Sequence, residues 1–221
     1  GQVTDFTIKA GANTGTADND FFDLTQAVGD FTIDGGDGLD EVHINLGFLN
    51  GSAEFENIEA LLLYGALDHP FVFNSSVPII DISDVGSLVL LTATAPQMTV
   101  LGGPTSYVGV ASDLPLAFDF SSGDAVLVAA DESQIPFSFR NIQGIIGGDG
   151  NDLFVGDDRN NDFMPGLGQN LVQGGGGLDR VIVFIEQYNP ETTVVGRDGD
   201  TVLVGARFGG DMVFSDLSTD A

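Results

Sequence analysis

The segment from Gly147 to Ile182 repeats a nine-residue pattern four times in one register. Its first unit, Gly147 to Val155 (GGDGNDLFV), fits GGxGxDxUx at every fixed position, where U is a large apolar residue. A fixed period of this kind indicates a solenoid, because each unit buries its apolar face only against neighbouring units. Two nonapeptides form one coil, so the pattern predicts coils of about eighteen residues.

The three later units keep the spacing while their side chains vary, reading GDDRNNDFM, PGLGQNLVQ and GGGGLDRVI. An oxygen-bearing side chain recurs at position six of the four units: Asp152, Asn161, Asn170 and Asp179. An apolar side chain recurs at position eight: Phe154, Phe163, Val172 and Val181. We therefore expect position six to face the turn and position eight to face the core.

A second group of repeats lies near the start of the chain. The segment Gly35 to His43 (GGDGLDEVH) fits every fixed position, and Gly15 to Phe22 fits loosely, twenty residues earlier. This step predicts the same kind of coil with two residues added in a turn.

The repeated glycines predict a calcium site. Glycine at positions one, two and four allows tight turns that bring carbonyl oxygens together, and the position-six carboxylate adds a charged oxygen. Calcium takes six to eight such oxygens in flexible geometry, whereas magnesium demands a strict octahedron. We expect about two to four calcium ions, with ion binding coupled to folding because the ligands come from separate turns.

Between residues 55 and 142 the glycine pattern disappears, but short apolar β-rich runs continue, separated by Gly, Pro, Asp and Ser clusters. These runs predict irregular rungs of the same solenoid. They are Ile58 to Tyr64, Phe71 to Phe73, Pro78 to Ile82, Leu88 to Thr92, Met98 to Leu101, Leu116 to Phe120 and Ala125 to Ala129.

The C-terminal part is expected to differ. Its Arg197 to Asp200 stretch contains an Asp-Gly pair, which predicts a tight antiparallel hairpin. We therefore divide the chain into an all-β parallel solenoid over residues 1–183, with calcium-binding repeats at 15–43 and 147–182, and an antiparallel β cap over residues 184–221 that covers the exposed strand edge.

The charge balance constrains the partners. The chain has 33 Asp and Glu against 6 Lys and Arg, a formal charge of −27, so nucleic acid is not an expected partner. Because 43% of the residues are apolar, this acidity does not indicate disorder. There is no cysteine, and the sequence shows neither a stretch of about 18 apolar residues nor a Sec-type signal, so we expect no transmembrane segment.

The motifs at 35–43 and 147–182 resemble those of the repeats-in-toxin (RTX) family of secreted bacterial proteins. The segments Phe55 to Glu59 and Phe139 to Gln143 resemble pieces that flank such repeats, and Tyr188 to Phe214 resembles the β segment that often follows them. The resemblance implies a right-handed parallel β-roll with calcium between stacked turns, export by type I secretion, and a secreted or cell-surface location.

The resemblance also implies a ligand set. An ion lies between turns one coil apart, one turn giving the carbonyls of positions two and four, the other those of positions one and three, and both giving position six. Carried over to this chain, three pairs are expected: Asp20 and Asp40 with the carbonyls of Thr16, Asp18, Gly35 and Asp37; Asp152 and Asn170 with those of Gly148, Gly150, Pro165 and Leu167; Asn161 and Asp179 with those of Asp157, Arg159, Gly174 and Gly176.

Departures from the family pattern weaken the last two pairs. Asn161 and Asn170 remove charge, and Arg159 replaces a turn glycine, so these sites are expected to bind less tightly or one to stay empty. Asp162 substitutes for Asn161 if the turn slips by one residue. Asp131 and Glu132, counted as one coil before the turn at Gly148, are a candidate extra site.

A non-enzymatic role is favoured. His43 and His69 are expected at the surface, no Ser, His and acid grouping can be assembled, and the few basic residues are scattered. We expect a calcium-dependent folding or structural module of a surface layer, adhesin or matrix protein, with cell-surface polysaccharide or other copies of the protein as partners. The alternatives are a calcium-dependent glycan-binding module and a polysaccharide lyase or epimerase on a β-helix.

Overall fold

A computed structural model describes residues 5–9, 18–25, 30–45, 53–65, 71–74, 77–85, 89–93, 97–184, 192–197, 199–208 and 211–216. Every regular element in these ranges is a β-strand, and parallel pairing of successive coils makes the fold the expected all-β solenoid. Within the same ranges no helix is long and apolar enough to cross a membrane. The chain forms two compact units, residues 1–106 with 137–141 and residues 107–136 with 142–221.

The first unit is built from parallel ladders. Its strands are β1 (Asp5–Lys9), β2 (Phe21–Leu24), β3 (Asp30–Asp34), β4 (Glu41–Asn45), β5 (Ala53–Glu56), β6 (Ala60–Tyr64), β7 (Phe71–Asn74), β8 (Ile79–Asp84), β9 (Val89–Ala93), β10 (Thr99–Leu101) and the end of β14 (Gln134–Arg140). The ladder β2, β4, β6, β8, β10 and β14 is parallel throughout, as are β1, β3 and β5, and the pair β7 and β9.

The register of the first unit confirms the longer coil predicted there. Phe21 pairs with Glu41, a step of 20 residues, and Glu41 pairs with Ala60, a step of 19. Along β4 and β6 every second side chain is buried, as expected for strands with one face on a core. The predicted runs around residues 58–64, 71–73, 78–82, 88–92 and 98–101 are confirmed as strands, with small shifts at their ends.

The second unit contains the four consecutive nonapeptides from Gly147 to Ile182. Its strands are β11 (Tyr107–Val110), β12 (Leu116–Asp119), β13 (Asp124–Val128), β15 (Gly144–Ile146), β16 (Leu153–Val155), β17 (Asp162–Met164), β18 (Leu171–Gln173), β19 (Arg180–Phe184), β20 (Thr193–Val195), β21 (Thr201–Phe208) and β22 (Asp211–Asp216). One parallel ladder runs β12, β16, β18 and β20, and the other β11, β15, β17, β19 and β21.

Successive nonapeptides alternate between these two ladders, as the repeat predicts. Leu153 pairs with Leu171, and Asp162 pairs with Arg180, each a step of 18 residues. The position-eight side chains are all buried, which confirms their predicted place in the core: Phe154, Phe163, Val172 and Val181. Phe120 extends this core, with its ring centroid 5.5 Å from that of Phe163.

Two expectations about connections are wrong. The predicted hairpin at Arg197 to Asp200 does not form, because β20 pairs in parallel with β18 and β21 in parallel with β19. The chain instead turns a coil corner there, and the antiparallel pair at this end is β21 with β22. Conversely, β12 is a rung of the parallel ladder through its pairing with β16, but β13 is not a rung and folds back on β12 as an antiparallel hairpin. The hairpin is closed by a turn in which Gly123 has a φ of 73° and donates to the Asp119 carbonyl.

Candidate metal centres

In the second unit, hydrogen bonds from backbone N–H groups to position-six side chains join successive coils. Asp152 Oδ1 accepts a hydrogen bond from Leu116 N at 2.9 Å, and Asp152 N donates to Asn170 Oδ1 at 2.8 Å. In the other ladder Asn161 N donates to Asp179 Oδ1 at 2.8 Å. Asp152, Asn170 and Asp179 thus each offer one oxygen to the preceding coil, because parallel strands begin immediately after position six and stack this position in register.

The same ladder exists in the first unit. Asp20 N donates to Asp40 Oδ1, and Asp40 N donates to Glu59 Oε2, both at 2.7 Å. Glu59 was not among the predicted ligands, because its segment, Phe55 to Glu59, has no glycine pattern. Its position 19 residues after Asp40 is the signal that identifies it.

Three carboxylate oxygens in this arrangement have no partner. Among the buried side-chain nitrogen and oxygen atoms of the described residues, those without a hydrogen bond are Asp40 Oδ2, Asp152 Oδ2 and Asp179 Oδ2. Their residues are 1%, 2% and 1% exposed, so bulk solvent does not reach these oxygens. A buried polar group without a hydrogen-bond partner destabilises the folded state by about 1–3 kcal/mol. For a charged carboxylate the cost is larger, unless a cation or a proton compensates the charge.

Two of these oxygens lie over the first glycine of their own turn, beside a carbonyl of the next coil. A β-carbon placed on Gly35 would lie 2.5 Å from Asp40 Oδ2 and would overlap the carbonyl oxygen of Asn57. A β-carbon placed on Gly147 would overlap Asp152 Oδ2 and lie 2.6 Å from the carbonyl oxygen of Pro165. At each point a carboxylate oxygen and a carbonyl oxygen therefore lie close together with no hydrogen-bond donor between them. A β-carbon would fill this point, so only glycine leaves it open.

The electrostatics of the second unit agree with this geometry. Burial is the main cause that raises the pKa of Asp152 from 3.8 to about 7, although the hydrogen bond from Leu116 N opposes it. Burial also raises the pKa of Asp179 to about 6, against the hydrogen bond from Asn161. Without a cation, burial therefore disfavours the charged form of both carboxylates in the folded protein.

Asn170 differs from the aspartates in the part of its side chain that faces the turn. Its Oδ1 accepts from Asp152 N, which directs Nδ2 to the carbonyl oxygens of Pro165 at 3.1 Å and Leu167 at 2.7 Å. These are two of the carbonyls expected to hold an ion with Asp152. The amide group satisfies them instead, so this turn contains a hydrogen-bond donor where an aspartate would present an oxygen.

Polar groups of the degenerate second nonapeptide also pair with one another. Asn161 Oδ1 accepts from Asp157 N at 2.9 Å, and the Asp157 carboxylate pairs with the Arg159 side chain at 2.8 Å. The backbone oxygen of Asp157 accepts from Gly176 N at 2.6 Å. Arg159 thus places a positive charge at a turn where the expected site needs anionic ligands.

Asp162 has a different role from the one considered for it. It belongs to β17 and pairs with Arg180 of the next coil, Nε to Oδ1 at 2.7 Å, and it also accepts from the Tyr107 hydroxyl. The turn does not slip, because the register of β15, β17 and β19 is unbroken at this position. The carboxylate of Asp162 is therefore ion-paired with Arg180.

The remaining expected ligands are backbone groups of the turns. The carbonyl of Gly148 accepts from Leu167 N at 2.9 Å, Gly150 packs on the carbonyl of Leu114, and Gly38 packs on the carbonyl of Asp18. Asp37 is exposed, and Thr16 lies outside the described residues. A carbonyl that accepts one hydrogen bond keeps a second lone pair for an ion.

The coil before Gly148 is not the one that contains Asp131 and Glu132, so the extra site considered there is wrong. Asp149 N donates to the carbonyl of Ser112 at 2.8 Å, and Leu116 N reaches Asp152. Because β12 and β13 form a hairpin, residues 112–116 stack on the repeats. Asp131 lies at the surface and accepts from Ser133.

No cluster of three or more His, Cys, Asp or Glu side chains suited to a metal occurs within the part of the chain that the structure describes. The points above Gly35 and Gly147 are instead each lined by one carboxylate oxygen and one carbonyl oxygen, the donor types that hard cations such as calcium take.

His43 lies at the partly exposed face of the first unit, whereas His69 falls outside the described residues. The ring centroid of His43 is 4.5 Å from that of Phe21 and 5.5 Å from that of Tyr64, and the His43 ring pairs with Glu41. Phe21 is 60% exposed. This outer face therefore presents aromatic rings together with carboxylates.

Comparison of the chain with protein-family models, with curated proteins and with solved structures gives no match.

Proposed function

We propose that this protein is a calcium-dependent structural module, in which calcium completes the turns around Asp40, Asp152 and Asp179. The observation that supports it most directly is the identity of the partnerless buried oxygens. In the described residues all three belong to position-six aspartates of the nonapeptides, where the repeat pattern places a metal ligand. A bound divalent ion would supply the positive charge that these oxygens lack.

The chain's own groups would fix the ligands before an ion arrives. Each aspartate is held by a backbone N–H at its Oδ1, so its Oδ2 is aimed into the turn without further ordering. The formal charge of −27 favours cations further, because it concentrates them near the surface. Extracellular calcium modules bind at about 10⁻⁴ to 10⁻³ M, which suits folding after export, and we propose a secreted or cell-surface location.

The test of this proposal is calcium binding measured by isothermal titration calorimetry on the metal-free protein. We expect saturable binding of about two to four ions at submillimolar to millimolar affinity, with magnesium binding at least about tenfold more weakly. The triple variant Asp40→Asn, Asp152→Asn, Asp179→Asn is expected to lose this binding. A matched triple variant at surface aspartates, Asp23→Asn, Asp119→Asn, Asp131→Asn, is expected to keep it. Equal binding by the two triple variants would contradict the proposal.

A second candidate function, glycan binding, is favoured by the outer face of the first unit. Phe21, His43 and Tyr64 form a row of rings across β2, β4 and β6, and rings of this kind stack on the apolar faces of sugars. We expect the Phe21→Ala and Tyr64→Ala double variant to lose binding on a glycan array at least about tenfold if this face is used. An array on which the wild type binds no glycan, or on which the double variant binds equally, would exclude this candidate.

A further inference from the structure

The third partnerless oxygen, Asp179 Oδ2, faces a second carboxylate instead of a carbonyl. A β-carbon placed on Gly174 would lie 2.6 Å from Asp179 Oδ2 and 3.2 Å from Asp200 Oδ2. Both oxygens therefore lie within 3.2 Å of one point above this glycine. At the corresponding points above Gly35 and Gly147, the second oxygen comes from the backbone of Asn57 or Pro165 and has no full charge.

The position of Asp200 is determined by backbone hydrogen bonds. Its Oδ1 accepts from Asp179 N at 3.0 Å, and its Oδ2 accepts from Arg197 N at 2.7 Å. It therefore continues the position-six ladder beyond the last nonapeptide. Gly196 leaves space at the corner, since a β-carbon there would lie 2.8 Å from Asp200 Oδ2.

The nearby arginine does not supply the missing partner. The Arg197 guanidinium donates to the carbonyl of Gly177 at 2.9 Å. Two carboxylates about 4 Å apart repel by roughly 4 kcal/mol at an effective dielectric near 20, and a divalent cation between them converts this repulsion into attraction.

We propose that Asp179 and Asp200 together hold a calcium ion above Gly174, at the junction between the last nonapeptide and β21. This inference rests on the proposed function. The family pattern pairs Asp179 with Asn161. In this proposal the free oxygen of Asp179 is instead paired with Asp200, a residue outside the repeats. With two carboxylates, this centre binds calcium more tightly than the one at Asp152, where the next coil supplies the neutral Asn170, because ligand charge raises affinity.

The location gives the ion a specific structural effect. Thr201, the first residue of β21, follows Asp200 directly and donates from its N to the Asp179 carbonyl at 2.8 Å. β21 then pairs with β19 over five residue pairs from Arg180 and Thr201 onward. Calcium at Asp179 and Asp200 therefore anchors the start of the strand that ends the parallel ladder, and the segment 193–208 depends on it for order.

The experiment compares Asp200→Asn with Asp131→Asn in the full chain. Both changes remove one negative charge and keep the hydrogen-bond acceptor, but Asp131 is exposed and its Oδ1 accepts from Ser133. Calcium titration calorimetry and hydrogen–deuterium exchange are measured with calcium and with EGTA. For Asp200→Asn we expect one binding site fewer, or that site weakened at least about tenfold, and loss of the calcium-dependent protection of residues 193–208. Residues 153–155 keep their protection.

A second variant, Gly174→Ala, blocks the proposed point without changing any charge and is expected to lose the same site and the same protection. It also provides the test if Asp200→Asn does not fold. The inference is overturned if both variants titrate like Asp131→Asn while Asp152→Asn still removes a site. If the wild type itself neither binds calcium nor gains protection, the proposed function fails, and this inference with it.

Discussion

We expect removal of calcium with EGTA to lower the melting temperature of the protein by about 5 to 10 °C for each site emptied. An ion present at about 100 times its Kd stabilises the folded state by about 2.7 kcal/mol, and 1 kcal/mol shifts the melting temperature of a chain of this size by about 2–4 °C. Three centres of the kind formed by Asp40, Asp152 and Asp179 therefore predict a total shift of about 15 to 30 °C. Circular dichroism melting curves with calcium and with EGTA measure it.

Two controls make this result specific. Magnesium at the same ionic strength is expected to restore only a small part of the shift, because it prefers an octahedral shell with bound water. Readdition of calcium after EGTA is expected to restore all of it. Melting temperatures that agree within about 2 °C in calcium, magnesium and EGTA would show that general screening of the charge, and not site binding, stabilises the chain.

The second large effect concerns Asp152→Asn, which we expect to change the stability of the folded state in opposite directions without and with calcium. In EGTA at pH 8 we expect this variant to be more stable than the wild type by about 1–4 kcal/mol. The amide keeps the oxygen that accepts from Leu116 N and places N–H groups toward the carbonyl of Pro165, as the Asn170 amide already does. With saturating calcium we expect the variant to be less stable, because the ion loses a charged ligand.

The pH dependence of the calcium-free protein tests the same centre. The pKa of Asp152 is raised from 3.8 to about 7 by burial, so below pH 3.8 the group is protonated in both the folded and the unfolded chain and has no effect. Between pH 3.8 and about 7 only the unfolded chain loses the proton, which destabilises the folded state by up to about 4 kcal/mol. The wild type therefore loses stability as pH rises through this window, and Asp152→Asn loses less.

Urea unfolding in EGTA at pH 5 and pH 8 gives these stabilities. The reciprocal variant, Asn170→Asp, is the matched control: it deletes two N–H donors facing Pro165 and Leu167 and is expected to be less stable in EGTA and to gain calcium affinity. If Asp152→Asn is destabilised equally with and without calcium, its carboxylate is an ordinary hydrogen-bond acceptor and the centre at Gly147 does not bind an ion.

Much of the fold followed from spacing alone. The nine-residue period predicted the parallel pairing and the 18-residue step from Leu153 to Leu171, because stacked coils must align equivalent residues. It also predicted burial of Phe154 and Phe163, and it placed Asp40, Asp152 and Asp179 at position six. These properties are local or strictly periodic, so a single chain reveals them.

Other features depend on which segments stack, and these required the tertiary structure. Spacing counted backward from Gly148 pointed to Asp131, but the hairpin of β12 and β13 removes that segment from the stack and brings Leu116 to Asp152. The Asp-Gly pair at Asp198 predicted a hairpin where the parallel ladders continue instead.

The sequence by itself determined the period, the buried apolar position and the residue type at position six. Only the tertiary structure decided which oxygen of Asp40, Asp152 and Asp179 is free, that Glu59 and Asp200 extend the ladders, and that Asn170 presents an amide to Pro165. The physical reason is that a repeat encodes its own turn, whereas hydrogen bonding and charge at each turn are completed by the next coil, which need not carry the repeat.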